Sequence, residues 1–205
     1  MQSGKIDVGN GGKRVAVVAM QGDFEKHVTM LRGLGAEAFT ARTPAEVDSA
    51  DAVILPGGES TTIGKLLARY GVDDAIRRAA EQGKPIYGTC AGMILLARDI
   101  AEGTGERGGQ PTLGLLDVTV QRNAFGRQVD SFEADLDVPA VGDDPVHAVF
   151  IRAPIVVDAG AGVESLATID GKTVFVKQRS ILGSSFHPEL TGDDRVHRYF
   201  LSLIK

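Results

Sequence analysis

The sequence predicts an α/β fold: a single domain built as a three-layer α/β/α sandwich around a mostly parallel central sheet, with extra β segments in its C-terminal half. Three observations predict it. Through the first hundred residues, short continuous apolar runs alternate with segments of helical periodicity, the pattern of buried parallel strands and the helices that cover them. Two of those runs stop at glycine-containing turns, 56–60 and 88–92, that lead straight into helical segments. Beyond residue 101 the helical period gives way to short β-like segments. No linker composition or internal repeat divides the chain.

The elements follow in order. Residues 14–20 (Arg-Val-Ala-Val-Val-Ala-Met) form a first buried strand, and a turn at Gln21-Gly22-Asp23 precedes a helix with Phe24, Val28, Leu31 and Leu34 on one face. A second strand spans 36–40, and Thr43-Pro44 opens a brief helix, as a capping residue followed by proline would. Residues 51–55 make a third strand, which Pro56-Gly57-Gly58-Glu59-Ser60 breaks. The next helix carries Ile63, Leu66, Leu67 and Tyr70 at i, i+3, i+4 and i+7. Another runs over about 72–82, and a fourth strand, beginning at Pro85, delivers Cys90. After a Gly-rich polar loop at 102–111 come β-like segments at Leu116–Gln121, Ser131–Leu136, 148–151, 155–157, 163–169, 173–177 and 181–185. A last helix covers about 193–204.

Composition narrows the function. The 205 residues are 43% hydrophobic and 24% charged, enough for one sizeable core. A net charge of −5 without a basic cluster argues against a nucleic-acid partner. No apolar run approaches the roughly 20 residues of a membrane span. The one cysteine excludes an internal disulfide and fits a reducing, intracellular setting, so the expected location is cytoplasmic. Residues 1–13 are polar and Gly-rich and read as a flexible N-terminal tail, leaving 14–205 as the domain. None of the four histidines has ligand spacing that suggests a metal site.

That cysteine sits in Gly88-Thr89-Cys90-Ala91-Gly92, between an apolar strand and an apolar helical run. A lone cysteine is most often a small buried hydrophobe. Glycines two residues to either side point instead to a nucleophile at the apex of a sharp strand-to-helix turn, where a Cβ would block close approach. Free N–H groups at the helix start would stabilise negative charge developing on the sulfur. The loop Pro56–Ser60 also leaves the carboxyl end of a strand, where ligands of open α/β sheets bind. It reads either as a bare-backbone anion site through Gly57 and Gly58 or as a plain capped turn. A third segment, Ser185-Phe186-His187-Pro188-Glu189, ends another β-like run. Pro188 biases His187 toward extended backbone, so His187 and Glu189 can point to one side, giving a nucleophile–base–orienter set with Cys90. His27 lies in a helix without an obvious carboxylate orienter, His197 beside an apolar stripe and His147 ahead of a strand, so His187 is the favoured base.

Taken together, Leu55-Pro-Gly-Gly-Glu-Ser-Thr61, Gly88-Thr-Cys-Ala-Gly92 and Ser185-Phe-His-Pro-Glu189 resemble the class I, triad-type glutamine amidotransferases, whose sheet is flavodoxin-like. More specifically, the chain is similar to the glutaminase subunits of the deoxyxylulose-phosphate-independent pyridoxal 5′-phosphate synthases. Gln21-Gly22-Asp23, Gly57-Gly-Glu-Ser-Thr-Thr62, Gly114-Leu-Leu-Asp-Val118, the run from Arg122 to Glu133 and Phe150-Ile-Arg-Ala-Pro154 carry that match. Where such proteins commonly have Glu-His after the first turn, this chain has Lys26-His27.

The resemblance implies hydrolysis of L-glutamine, with Cys90 as nucleophile, His187 as base and then acid, and Glu189 as its orienter. It implies backbone N–H donors to the oxyanion from Gly58 and Ala91. It also implies glutamine contacts from Gly58, Glu59, Ser60, Arg122, Ile151 and Arg152. On spacing alone Arg122 and Arg152 read as solvated surface charges. It further implies no metal and no cofactor, and a synthase partner that is a (β/α)8 barrel. The expected assembly is a large hetero-oligomer with a dodecamer of each subunit. The rivals are a stand-alone cysteine-elbow hydrolase, a glutaminase of another pathway and a non-catalytic subunit with a relic site.

Overall fold

The computed structural model describes residues 12–101, 110–124 and 131–205. The N-terminal half runs β1 (Arg14–Val18), α1 (Phe24–Gly33), β2 (Glu37–Ala41), α2 (Pro44–Asp48), β3 (Ala52–Leu55), α3 (Ser60–Tyr70), α4 (Val72–Glu81), β4 (Ile86–Thr89), α5 (Ala91–Leu96) and β5 (Ala97–Ile100). The other half runs β6 (Leu116–Gln121), β7 (Ser131–Leu136), β8 (Val146–Ile151), β9 (Ile155–Ala159), β10 (Glu164–Ile169), β11 (Lys172–Gln178), β12 (Ile181–Ser184) and α6 (Arg195–Ser202). One 3-10 turn, Pro188–Leu190, lies between β12 and α6.

Among the described residues, ten strands form one sheet in the order β2-β1-β3-β4-β12-β11-β9-β6-β5, with β10 pairing on β11. From β2 to β12 every pairing is parallel. Beyond β12 the sheet continues antiparallel as far as β6, and β5 closes it in parallel with β6. Strands β7 and β8 make a separate antiparallel ribbon.

Two-residue alternation sorts the side chains of the parallel strands onto two faces. Ala16, Val18, Val53 and Leu55 pack with Val47 of α2, Ile63 and Leu67 of α3, Ile76 of α4 and Met93 of α5. Their neighbours Val15, Val17, Ala52 and Ile54 pack the other way, with Val28 and Leu31 of α1, Phe200 of α6 and Ala148 and Phe150 of β8. The sheet is therefore covered on both faces, and residues such as Ile54 and Phe200 are wholly buried, each contributing about 1.5–3 kcal/mol. Local chemistry starts the short helices. Thr43 and Glu46 form a reciprocal capping box with Pro44 in the first turn of α2, and Gly71, at φ 68°, ends α3 and hands directly to α4.

The structure corrects several sequence boundaries. Strand β1 ends at Val18 rather than residue 20. Strand β5, Ala-Arg-Asp-Ile, was not foreseen, because an edge strand with two exposed charged residues has no strand signature. Strand β8 starts at Val146, so His147 lies within it. The expected tail lies outside the described residues up to position 11. Lys13, assigned to it, is tied to the fold: its carbonyl accepts from Glu37 N–H at 2.9 Å and its Nζ donates to Leu201 O at 3.0 Å. Residues 102–109 of the Gly-rich loop and 125–130 of the Arg122-to-Glu133 run also lie outside. No helix among the described residues is long and apolar enough to cross a membrane.

Candidate active site

Three chain segments meet at the carboxyl ends of β3, β4 and β12, three adjacent parallel strands. Cys90 follows β4 at φ 49° and ψ −104°, a conformation that costs a non-glycine residue of order 1–3 kcal/mol and persists only where its surroundings enforce it. The enforcement is visible. Cys90 N–H donates to Ser184 O of β12 at 2.7 Å. A Cβ on Gly92 would fall 2.0 Å from Leu55 O, and one on Gly88 2.5 Å from the Gly92 carbonyl carbon. The two flanking glycines thus let the start of α5 sit directly on β3 and β4, and the thiol takes the apex.

Strand β12 delivers the second group. His187 N–H donates to Val149 O of β8 at 2.9 Å, and its Nδ1–H donates to Glu189 Oε1 at 2.7 Å. The route differs from the expected extended dipeptide. Only His187 is near-extended, at φ −109° and ψ 86°, and Pro188 then starts the 3-10 turn that swings Glu189 back beneath the ring. Burial works to lower the pKa of His187, but the neighbouring Cys90 and the hydrogen bond to Glu189 outweigh it and push it up to about 10. Burial likewise works to raise Glu189, and His27 and His187 beside it hold it below the usual carboxylate range. In this geometry the Cys90 thiol points to Ile151 O, 3.7 Å away, and His187 Nε2 is buried without a hydrogen bond among the described residues.

The third segment is the Gly57–Ser60 loop after β3. Gly57 lies flat against the imidazole: a Cβ there would come within 2.3 Å of His187 Cε1. Gly58 takes φ 152°, and the Gln21-Gly22 turn props the loop from behind. Gln21 Oε1 accepts from Glu59 N–H at 2.8 Å, and a Cβ on Gly22 would strike Gly57 O at 1.8 Å. Ala91 is the first residue of α5, a position whose N–H no carbonyl of its own helix can take.

The remaining sequence candidates separate. Glu59 is the N-cap of α3, its carboxylate accepting from Thr61 N–H at 3.0 Å and Thr62 N–H at 2.7 Å. The Thr62 hydroxyl, above all, pulls its pKa down to about 2 against the opposing effect of burial. Its carbonyl takes Ile63 N–H at 3.0 Å, so the geometry gives Glu59 a structural task. Ser60 and Arg122 are brought together by Gln110, whose Oε1 accepts from Ser60 Oγ at 2.9 Å and Arg122 Nη1 at 3.1 Å. Sequence reasoning missed Gln110, a polar residue in a polar loop that carries no signal of its own. Ile151 ends β8 with its carbonyl on the thiol, and Arg152 follows exposed at φ 44°.

His27 also needs correction. It is wholly buried, and its Nε2 lies 3.4 Å from Glu189 Oε2, so it does face a carboxylate. Among the described residues no group of three or more His, Cys, Asp or Glu gathers as a metal site.

The chain compares closely with known proteins. It is 55% identical over 190 residues to the pyridoxal 5′-phosphate synthase subunit PdxT of Herpetosiphon aurantiacus, covering 92% of this chain and 99% of that one. It is 53% identical to the protein of the same name from Pelotomaculum thermopropionicum, covering 92% and 93%. A crystal structure of a glutamine amidotransferase superposes with a TM-score of 0.85 at 51% identity, covering 93% of this chain and 98% of that one. The model of the SNO glutamine amidotransferase family matches residues 17–205, which include all three converging segments. With a strained thiol elbow, an imidazole–carboxylate pair and this match over nearly its whole length, the chain belongs to the SNO glutamine amidotransferase family.

Proposed function

We propose that this chain is the glutaminase subunit of a pyridoxal 5′-phosphate synthase. It hydrolyses L-glutamine to L-glutamate and ammonia, using Cys90, His187 and Glu189 and no cofactor. The ammonia passes to a (β/α)8-barrel synthase subunit within a large hetero-oligomer, a dodecamer of each, in the cytoplasm. The observation that carries the reading is the convergence of the Cys90 elbow with the His187–Glu189 pair, bonded at 2.7 Å, beside the Gly57–Gly58 loop.

The chemistry follows from those groups. His187, already protonated, holds its proton on Nε2 as the Cys90 sulfur attacks the glutamine side-chain carbonyl carbon. The oxyanion forms against the Gly58 and Ala91 amides, each worth roughly 3 kcal/mol. His187 gives that proton to the leaving nitrogen, the C–N bond breaks and ammonia departs, leaving a glutamyl thioester on Cys90. A water gives its proton to His187 and attacks the thioester, the C–S bond breaks, and glutamate leaves as the sulfur is freed. Gly58, Ser60 and Ile151–Arg152 border the substrate, and Arg122 offers a planar fork for its α-carboxylate. Glu59 acts there by holding the loop's helix.

Ammonia release from L-glutamine, with and without the cognate synthase subunit, tests this for the native chain and Cys90→Ala. Release stimulated by the partner and lost in the variant is the expected result. Strong release indifferent to the partner would favour a glutaminase of another pathway. No release from folded protein with a competent partner would end the enzyme reading.

A further inference from the structure

Behind the triad, on the side away from the substrate, lies a line of buried polar groups that the hydrolysis does not use. Glu189 gives one carboxylate oxygen to His187. The other, Oε2, is buried with no hydrogen bond among the described residues and stands 3.4 Å from His27 Nε2. Across the ring, His27 Nδ1 meets His197 Nε2 at 2.8 Å. His197 Nδ1 has no hydrogen-bond partner among the described residues. Both rings are 0% exposed. His27 comes from α1 and His197 from α6, which pack on the same face of the sheet.

These distances decide where the protons are. Burial, foremost, lowers the pKa of both rings, so each is neutral at pH 7 and carries one N–H. Only one proton can lie between His27 Nδ1 and His197 Nε2. If His27 supplied it, its bare Nε2 would face the ionised Glu189 oxygen lone pair to lone pair, and His197 would bury an orphaned Nδ1–H. If His197 supplies it, His27 keeps its proton on Nε2, 3.3 Å from Thr89 Oγ1 and 3.4 Å from Glu189 Oε2, and the group left without a partner among the described residues is a bare nitrogen. Orphaned buried donors are the rarer and costlier case. The charged and titratable groups around His27 agree. They are Asp23 on its own helix, Glu189 and His187 from the turn after β12, and His197 from α6. Thr89 Oγ1 of β4 lies 3.3 Å from the same Nε2 and can accept from it as well, and Tyr87 nearby is occupied with Ser184 at 2.8 Å.

The geometry points to His27 as a positioning residue of the reaction, an Nε2–H donor that holds the second oxygen of Glu189, with His197 fixing its tautomer. Glu189 is then gripped from both sides, by His187 from the substrate side and by His27 from the core. A carboxylate so held stays ionised and in plane with His187, which keeps the His187 ring oriented and its proton bound.

This rests on the glutaminase reading above, and the tests separate the two. In the native full-length chain with 15N-labelled histidine, both His27 and His197 should be neutral Nε2–H tautomers, unchanged from pH 5.5 to 8.5. A His27 that carries its proton on Nδ1, or that titrates in this range, would overturn the assignment. In the assay with the synthase subunit, His27→Phe should lower kcat by roughly 10²-fold, the scale of a misplaced reacting group, with KM nearly unchanged. Its alkaline limb should move to lower pH, because a Glu189 no longer held in place makes a poorer hydrogen bond to the His187 proton. His27→Gln, whose amide N–H can reach the same oxygen, should restore most of kcat. Equal losses in both variants that merely follow a lower melting temperature would reduce His27 to packing and overturn the proposal. An inactive Cys90→Ala beside a His27→Phe with native kcat and pH profile would sink the positioning role and leave the glutaminase standing. A fully active Cys90→Ala would sink the glutaminase itself.

Discussion

Gly57 shows how much a single residue decides here. Its missing side chain is the space in which the His187 ring sits, since a Cβ would come 2.3 Å from Cε1. Gly57→Ala should therefore displace the imidazole rather than unfold the loop. Overpacking of this kind costs about 1–3 kcal/mol of stability, whereas a shift of order 1 Å at the proposed base should lower kcat by about 10²-fold. Glutaminase assays beside thermal melts read the two effects separately, and a variant with native kcat would show that the ring has room to spare. Cys90, His187 and Glu189 were legible because each lies in a motif only a few residues long. His27 was not: its partners are on other elements, His197 being 170 positions away, and a histidine on an amphipathic helix looks like many others. Gln110 escaped for the same reason, its three donors arriving from α3 and from beyond β6.

Among the elements, α3 ties stability to the site through its first turn. Glu59 caps it, and the loop that offers Gly58 is the chain immediately before that cap. Glu59→Ala should cost about 1 kcal/mol as a lost N-cap, seen as a lower denaturation midpoint, and should also lower kcat by loosening Gly57 and Gly58. Glu59→Ser, a good cap, should recover the stability. A Glu59→Ala chain that binds glutamine less tightly at unchanged stability would instead restore the direct contact that the resemblance implied. The strands were mostly readable, because buried parallel strands are bare apolar runs and β1 and β3 divide cleanly between two faces. Strand β5 and the 3-10 turn were not. The first follows a helix with no break between Leu96 and Ala97, and the second is set by where Glu189 must go rather than by propensity.

For the whole molecule, the buried imidazoles set a pH optimum for stability. His27 and His197 stay neutral when folded, whereas unfolded histidine binds a proton below about 6.5. The unfolded state then holds more protons, so stability falls as pH drops below about 6.5, by up to about 1.4 kcal/mol per pH unit for each ring. His187 has the opposite sign. Its raised pKa adds stability that is complete below about 6.5 and lost as pH rises toward about 10. Glu189, held low, adds stability present above its unfolded value and lost only in stronger acid. Melting temperatures across pH 4.5 to 10 should peak near 6.5, and His197→Phe should flatten the acidic side by about one proton. An acidic slope identical in that variant would mean that His197 is not neutral in the native state.

One feature of the sheet bears on how the protein comes into being. The strand that carries His187 lies in the middle of the sheet, between β4 and β11, yet it is the last strand in the chain. A ribosome delivers the Cys90 elbow long before the strand that clasps it, and until then β4, with all four residues destined for burial, stands as an open edge. Closing that gap pairs Ile86 with Ile181 and Thr89 with Ser184, contacts of large sequence separation that form slowly. The nascent elbow therefore has its cysteine but not the imidazole, and the proposed triad is completed only in the closing event of the polypeptide's own folding.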